Sequence, residues 1–139
     1  MQDNGDLAQA HKAYAHTARG DLRKLRGDLR SADADDGFRD DQDGADADYA
    51  RALELFSVVR DNHGLAYVYK ARGDLRQFLD YLAGADAYYT CALELFSAVR
   101  DNHGLAQVHH ARGHLRRLRG DQDGADADDE RALELFSAV

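Results

Sequence analysis

The sequence predicts an all-α fold in which antiparallel helix pairs stack into a solenoid of about six or seven helices. A unit of 40 residues recurs, since the string ALELF stands at 52–56, 92–96 and 132–136. The stretches 52–91 and 92–131 align without a gap and share 24 of their 40 residues. Repetition at a fixed period is typical of stacked-repeat architectures, in which each unit buries its apolar face against its neighbours. The chain also contains no proline, which favours long helices.

The first third of the chain, residues 1–40, departs from this period, and we interpret it as an irregular segment that contains a partial repeat. Its string ARGDLRKLRGD matches ARGHLRRLRGD at 111–121 and predicts a helix over 7–26. Gly20 and Gly73 are 53 residues apart, which is neither one period nor two. We expect a shortened helix at 28–36 and an Asp- and Gly-rich connection at 37–43. The regular array is expected over 41–139.

One helix of each unit contains the ALELF string. Ala45, Tyr49, Ala52, Leu53 and Phe56 lie on one face of a 3.6-residue period, and the later copies repeat this spacing. In the third copy an aspartate, Asp129, replaces the tyrosine. Acidic residues expected at the starts of these helices, where they can cap free N–H groups, are Asp41, Asp43, Asp121 and Asp123.

The other helix of each unit follows the string RDNHG. Asp61 and Asp101 stand at its expected N-caps. An apolar stripe with helical spacing follows each cap. These stripes consist of Leu65, Val68, Tyr69, Leu75, Phe78 and Leu79 in one unit, and of Leu105, Val108, Leu115 and Leu118 in the next.

The spacing Tyr69-x-x-Arg72-Gly73, followed by Ala85-x-x-x-Tyr89-x-x-Ala92, resembles the tetratricopeptide repeat (TPR) pattern in a longer, 40-residue form. The resemblance implies a right-handed superhelix whose inner groove is lined by the first helix of each pair and binds peptides. Arg72 departs from the pattern, because the family prefers leucine there. We expect its charged head to reach water or to pair with an aspartate.

By this resemblance, a polar stripe on each first helix lines the groove. The predicted groove residues are Tyr14, Thr17, Asp21, Lys24, Tyr67, Lys70, Asp74, Gln77, Gln107, His110, His114 and Arg117. The plain alternative is that they form only the solvated face of these helices. The function expected from the groove is that of a protein–protein interaction scaffold without catalysis, whose partner is a peptide or another protein.

The net charge of −8 makes nucleic acid an unlikely partner, because an acidic surface repels phosphate. Two basic stretches nevertheless leave open an Arg-rich module that associates with nucleic acid. Its candidate contacts are Arg19, Arg23, Lys24, Arg26, Arg30, Arg112, Arg116, Arg117 and Arg119. A further alternative is a fragment of a larger TPR-containing signalling regulator.

No catalytic residues, cofactor or metal site are expected. The chain has no P-loop, GxGxxG or HExxH motif, and its single cysteine, Cys91, stands off the apolar face without a residue placed to activate it. His110 and His114 share a helix face, but a zinc site needs further ligands, and no suitably spaced cluster supplies them.

The sequence also lacks an apolar run long enough for a membrane span, and its acidic N-terminus does not resemble a signal peptide. We therefore expect no membrane partner and a cytoplasmic location. The final string ALELFSAV predicts a helix without a polar helix packed after it. Repeat arrays need such a cap for solubility, so self-association through this helix is expected.

Overall fold

A computed structural model describes residues 4–28, 36–79 and 81–137, and the described residues form helices joined by short turns, without a strand. The predicted all-α fold is therefore confirmed. None of these helices combines the length and the apolar composition that a membrane span requires. The six helices are α1 (Asn4–Asp28), α2 (Asp36–Val59), α3 (Asn62–Phe78), α4 (Leu82–Ala98), α5 (Asn102–Leu118) and α6 (Gln122–Ser137).

Successive helices pack as hairpins. The most extensive contacts join α1 to α2, α3 to α4 and α5 to α6, and smaller contacts join α2 to α3 and α4 to α5. The first helices of the hairpins also touch one another, α1 against α3 and α3 against α5. The result is the stacked helix-hairpin arrangement that the repeat predicts, with α1, α3 and α5 along one side.

Inside the first two hairpins, a tyrosine ring lies on a glycine of the facing helix. A Cβ atom on Gly20 would stand 2.8 Å from Cε1 of Tyr49, and one on Gly73 would stand 2.7 Å from Cε1 of Tyr89. Both rings are fully buried. Because even a methyl group would overlap the ring, these contacts require glycine.

Between hairpins, a phenylalanine ring lies on a glycine of the next helix. A Cβ atom on Gly64 would stand 2.6 Å from Cδ1 of Phe56, and one on Gly104 would stand 2.5 Å from Cδ1 of Phe96. Both rings are almost completely buried, with 1% and 5% of their surface exposed. The ALELF string therefore supplies the ring that joins one hairpin to the next.

The turns into α3 and α5 are built alike. Asp61 and Asp101 are the N-caps, as predicted, and each carboxylate accepts a hydrogen bond from the backbone N–H three residues later, at 2.9 and 3.0 Å. The preceding residues, Arg60 and Arg100, adopt left-handed backbone conformations with φ of 58° and 57°. A left-handed residue ends the previous helix, so the chain can turn directly into the next one.

The prediction for residues 37–43 is wrong. These residues are helical because α2 begins at Asp36, so Asp41 and Asp43 lie inside the helix and do not cap its start. Asp121, by contrast, caps α6 by accepting a hydrogen bond of 2.9 Å from the backbone N–H of Gly124. Residue 40, the predicted domain boundary, also lies within α2. Most of the shortened helix predicted at 28–36 falls on residues 29–35, outside the described ranges.

The break in the 40-residue period lies inside the first hairpin. The contacting pair Gly20 and Tyr49 is 29 residues apart in sequence, whereas the equivalent pair Gly73 and Tyr89 is 16 apart. Both glycines meet their rings in the same way. Thirteen additional residues therefore stand between the packing positions of the first hairpin, and its contact is the same as in the second.

Some residues predicted on apolar faces are exposed. Phe78 and Leu118 are 44% and 55% exposed because each is the last residue of its helix. On α6, Leu133 and Phe136 are 68% and 44% exposed, because among the described helices α6 packs only against α5.

Candidate binding groove

The predicted polar stripes of α1 and α3 lie beside each other and line two adjoining pockets. Asp21 and Tyr67 belong to both pockets and therefore stand at the centre of this groove. Seven of the predicted groove residues line the two pockets. They are Tyr14, Thr17, Asp21, Lys24, Tyr67, Lys70 and Asp74.

The first pocket, which we call the aromatic pocket, has a volume of about 350 Å³. The rings of Tyr14 and Phe56 meet edge to face there, with centroids 4.9 Å apart. Tyr14 and Tyr67 are 53% and 46% exposed, so both rings are accessible to a ligand. The full lining is Tyr14, Thr17, Ala18, Asp21, Phe56, His63, Gly64 and Tyr67.

Both tyrosine hydroxyls of the aromatic pocket donate to carboxylates. The Tyr14 hydroxyl bonds Asp61 at 3.1 Å, and the Tyr67 hydroxyl bonds Asp21 at 3.1 Å. Burial and the neighbouring Asp61 raise the pKa of Tyr14. Burial and Asp21 raise the pKa of Tyr67 to about 12. Carboxylates that disfavour a phenolate also favour a cation at the same place, so the pocket combines aromatic faces with negative potential.

The second pocket, which we call the polar pocket, has a volume of about 250 Å³. Its carboxylates belong to Asp21 and Asp74 and its ammonium groups to Lys24 and Lys70, so its charges balance. Lys70 Nζ lies 2.8 Å from Asp74 Oδ2. The remaining lining residues are Leu25, Tyr49, Tyr67 and Ala71.

Asp21 is held in place from the floor of the groove. The buried hydroxyl of Tyr49 donates to Asp21 Oδ1 at 2.5 Å, while Tyr67 donates to the other oxygen. Burial, followed by Asp21, raises the pKa of Tyr49. In the second hairpin, the Tyr89 hydroxyl bonds Asp74 in the same way, at 2.6 Å.

The other predicted groove residues are placed differently. Thr17 is 5% exposed, and its hydroxyl donates to the carbonyl oxygen of Ala13, so its proton is not available to a ligand. Gln77 Oε1 lies 3.1 Å from the Tyr89 hydroxyl, whose proton is directed to Asp74 at the shorter distance of 2.6 Å. The residues on α5 are exposed and do not belong to either pocket. They are Gln107, His110, His114 and Arg117, of which Arg117 pairs with Asp129 at 2.6 Å.

Sequence reasoning missed several lining residues because they do not lie on the polar stripes. Phe56 and Tyr49 come from α2 and were expected only in the core. His63 lies in the first turn of α3, two residues after the N-cap Asp61. The recurring RDNHG string indicated that a turn lies here. It did not indicate that the turn packs beside Tyr14.

Many of the arginines considered as nucleic-acid contacts pair with aspartates inside the hairpins. Asp128, 3% of whose side chain is exposed, is contacted by His109 at 2.9 Å, Arg112 at 2.9 Å and Arg116 at 3.0 Å. Burial alone would raise the pKa of Asp128. The hydrogen bonds from Arg112 and His109 outweigh that effect and hold the pKa below its ordinary value.

Asp48 occupies the equivalent place in the first hairpin. It is contacted by His16 at 3.1 Å, Arg19 at 2.7 Å and Arg23 at 3.5 Å, and these contacts lower its pKa against the opposing effect of burial. In the second hairpin the position is taken by Tyr88.

The guanidinium group of Arg72 stacks on the Tyr88 ring at 4.9 Å and pairs with Asp46 of α2 at 2.9 Å. Of the two placements expected for Arg72, the structure shows the pairing with an aspartate. Of the remaining candidate contacts, Arg26 lies 3.8 Å from Asp41, Arg119 is exposed, and Arg30 lies outside the described residues.

The thiol of Cys91 is half-buried, and its pKa is raised by burial and by the nearby Glu94, which makes it a weak nucleophile. Within residues 4–28, 36–79 and 81–137, no three His, Cys, Asp or Glu side chains are grouped so that they could hold a metal ion.

No protein-family model matches the chain, and no curated protein is similar enough in sequence to indicate a family.

Proposed function

We propose that this protein is an interaction module that binds an extended peptide in the groove between α1 and α3. The observation that supports this proposal is the pair of adjoining pockets, to which the two polar stripes contribute accessible tyrosines, carboxylates and ammonium groups. A module of this kind needs no chemistry of its own, because binding by pre-positioned side chains is its whole mechanism.

The aromatic pocket suits a basic side chain of the peptide. The apolar stem of arginine or lysine would contact Phe56, and its charged head would meet the ring faces of Tyr14 and Tyr67. Asp21 and Asp61 supply the negative potential at these rings. The neighbouring polar pocket has balanced charges and suits the backbone amides of the same peptide.

We also propose that the hairpins are tetratricopeptide-like repeats in a cytoplasmic protein. The repeat assignment is supported by glycines that accept tyrosine rings at the positions where the sequence pattern places a small residue and an aromatic residue. The cytoplasmic location is supported by the sequence features given above.

The alternative role in nucleic-acid binding is less well supported. The arginines that contact Asp48 and Asp128 hold those carboxylates in pairs and would have to give up these contacts, at least in part, to contact phosphate. A salt titration with random-sequence duplex tests this alternative. Binding that weakens steeply with salt would favour it over the peptide groove.

The peptide proposal is tested with two libraries of short random peptides, one with a fixed central arginine and the other with a fixed central glutamate. We expect the immobilised protein to retain the arginine library preferentially. Tyr67→Leu should weaken binding about five-fold, since a cation–π contact contributes about 1 kcal/mol. Tyr67→Phe should retain most of the binding because it keeps the ring. Fluorescence anisotropy of recovered peptides gives the affinities.

The matched control is Gln107→Ala, since Gln107 occupies the same repeat position as Tyr67 but lies on α5, outside both pockets. It should leave binding unchanged. Equal retention of the two libraries would contradict the basic-side-chain preference. If Tyr67→Leu and Gln107→Ala bound peptide equally well, the groove itself would be the wrong site.

A further inference from the structure

The outer face of α6 carries two exposed apolar side chains. Leu133 is 68% exposed and Phe136 is 44% exposed. The same positions of the ALELF string in α4 are Leu93 and Phe96, of which Leu93 is half-buried and Phe96 is 5% exposed. The leucine and the phenylalanine at these two positions of an identical pentapeptide are therefore covered in one helix and open in the other.

Two junctions between hairpins show what covers the equivalent face of α2 and of α4. The first turn of α3 lies on Phe56 and the first turn of α5 lies on Phe96, each with a glycine against the ring. Both covering helices begin with the sequence DNHGLA. A side chain in place of either glycine would overlap the phenyl ring, so the ring selects glycine at this position.

The environment of Phe136 on its other side already matches the covered copies. His103 meets the Phe136 ring edge to face at 5.9 Å, as His63 meets Phe96 at 5.8 Å. Phe136 thus has the inner neighbour of a hairpin junction but, among the described residues, no glycine-bearing helix over its outer side.

We propose that the outer face of α6 binds a helix that begins Asp-Asn-His-Gly-Leu-Ala, with the glycine seated on the ring of Phe136. The two internal junctions define the sequence and the register of this occupant. The contact buries Leu133 and Phe136 and repeats the hairpin stacking once more. It is independent of the peptide groove, which lies between α1 and α3.

Helix α1 of a second copy does not fit this description. Aligned with α3 through Gly20 and Gly73, it places His11 where Gly64 stands and Lys12 where Leu65 stands. The histidine would overlap the ring, and the lysine would replace an apolar contact. Simple head-to-tail stacking of copies is therefore disfavoured by the residues of α1.

The test uses the full chain and a fluorescein-labelled peptide with the sequence of residues 60–79. We expect saturable binding in an anisotropy titration at physiological ionic strength. A Gly64→Leu peptide should bind at least ten-fold more weakly. Leucine forms helices better than glycine and leaves the charge unchanged, so weaker binding cannot come from helix content or electrostatics.

The protein variant Phe136→Ala should bind the original peptide at least ten-fold more weakly, and circular dichroism should show it folded because the ring is already exposed. Val58→Ala, which removes an exposed apolar side chain from α2, is the matched control and should not change binding. Absence of binding, or equal affinity for the Gly64→Leu peptide, overturns the proposal. So does a dimer of the full chain that Phe136→Ala dissociates, because the occupant would then be a second folded copy.

Discussion

Four glycines of this molecule lie directly under aromatic rings, two within hairpins and two between them. A helix normally gains stability when glycine is replaced by alanine, because alanine restricts the unfolded chain and favours helical backbone. Under a ring the added methyl group overlaps atoms that cannot move away. The same substitution therefore has opposite effects at different positions of this chain.

Gly73→Ala should destabilise the protein by about 1–3 kcal/mol, since its Cβ would stand 2.7 Å from the ring of Tyr89, which the hydrogen bond to Asp74 fixes. Gly84→Ala is the matched control, because the nearest atoms to its Cβ belong to Arg76 at 3.9 Å. It should be neutral or stabilise by up to about 1 kcal/mol. Urea denaturation measures both, and equal effects would show that the ring contact does not constrain position 73.

Asp128 is a second residue whose contribution depends on its surroundings. Its pKa is lower in the folded protein than in the unfolded chain. Its ion pairs with Arg112 and Arg116 therefore stabilise the fold above the unfolded pKa of about 4. That contribution is lost as the pH falls through the lower, folded-state pKa.

Asp128→Asn should accordingly lower the free energy of unfolding by about 1–3 kcal/mol near neutral pH. The difference from the unsubstituted protein should shrink below about pH 4. Urea denaturation at several pH values measures it. Asp126→Asn, on the exposed side of α6, should change stability by less than about 0.5 kcal/mol. A pH-independent effect of Asp128→Asn would mean that its charge does not stabilise the fold.

At the scale of the helices, α4 and α6 differ in how many neighbours they have. Helix α4 packs against both α3 and α5, whereas α6 packs against α5 alone in the described part of the chain. The third hairpin also has Asp129 in place of the tyrosine ring that α2 and α4 insert between their helices. Stability in stacked repeats is the sum of each unit and its interfaces, so the last hairpin should open first.

Hydrogen exchange tests this order with matched sequences, because 92–96 and 132–136 are both ALELF. Their intrinsic exchange rates are nearly the same, so differences report local opening. We expect the amides of 92–96 to exchange at least about ten-fold more slowly than those of 132–136. Equal protection in the two segments would show that the third hairpin opens only with the whole array.

The helices that the sequence predicts well are those with repeated apolar spacing. The beginning of α2 was missed because DGFRDDQDG is rich in aspartate and glycine, which are poor helix formers, so that local propensity predicts a loop. The groove stripes could be placed on α1 and α3 from their spacing. The two pockets could not be predicted from that spacing, because the packing of separate helices brings Phe56, Tyr49 and His63 to them.

At the scale of the whole molecule, one position of the repeat is satisfied in two ways. In the outer hairpins a buried aspartate, Asp48 or Asp128, collects a histidine and two arginines. In the middle hairpin Tyr88 stacks with Arg72 instead, and Arg72 forms its ion pair with Asp46 of the preceding hairpin. The basic residues of this acidic chain thus hold hairpins together both internally and to each other.

The thirteen extra residues of the first hairpin also have a practical meaning. They separate Gly20 from Tyr49 in sequence, yet the ring is seated as it is in the hairpin without them. Nine of them lengthen α1 and α2 beyond the packing positions, so a hairpin of this array accepts extra residues past its glycine–ring contact. A fluorescent reporter or an affinity tag inserted near residue 120 should therefore leave the packing of the hairpins intact.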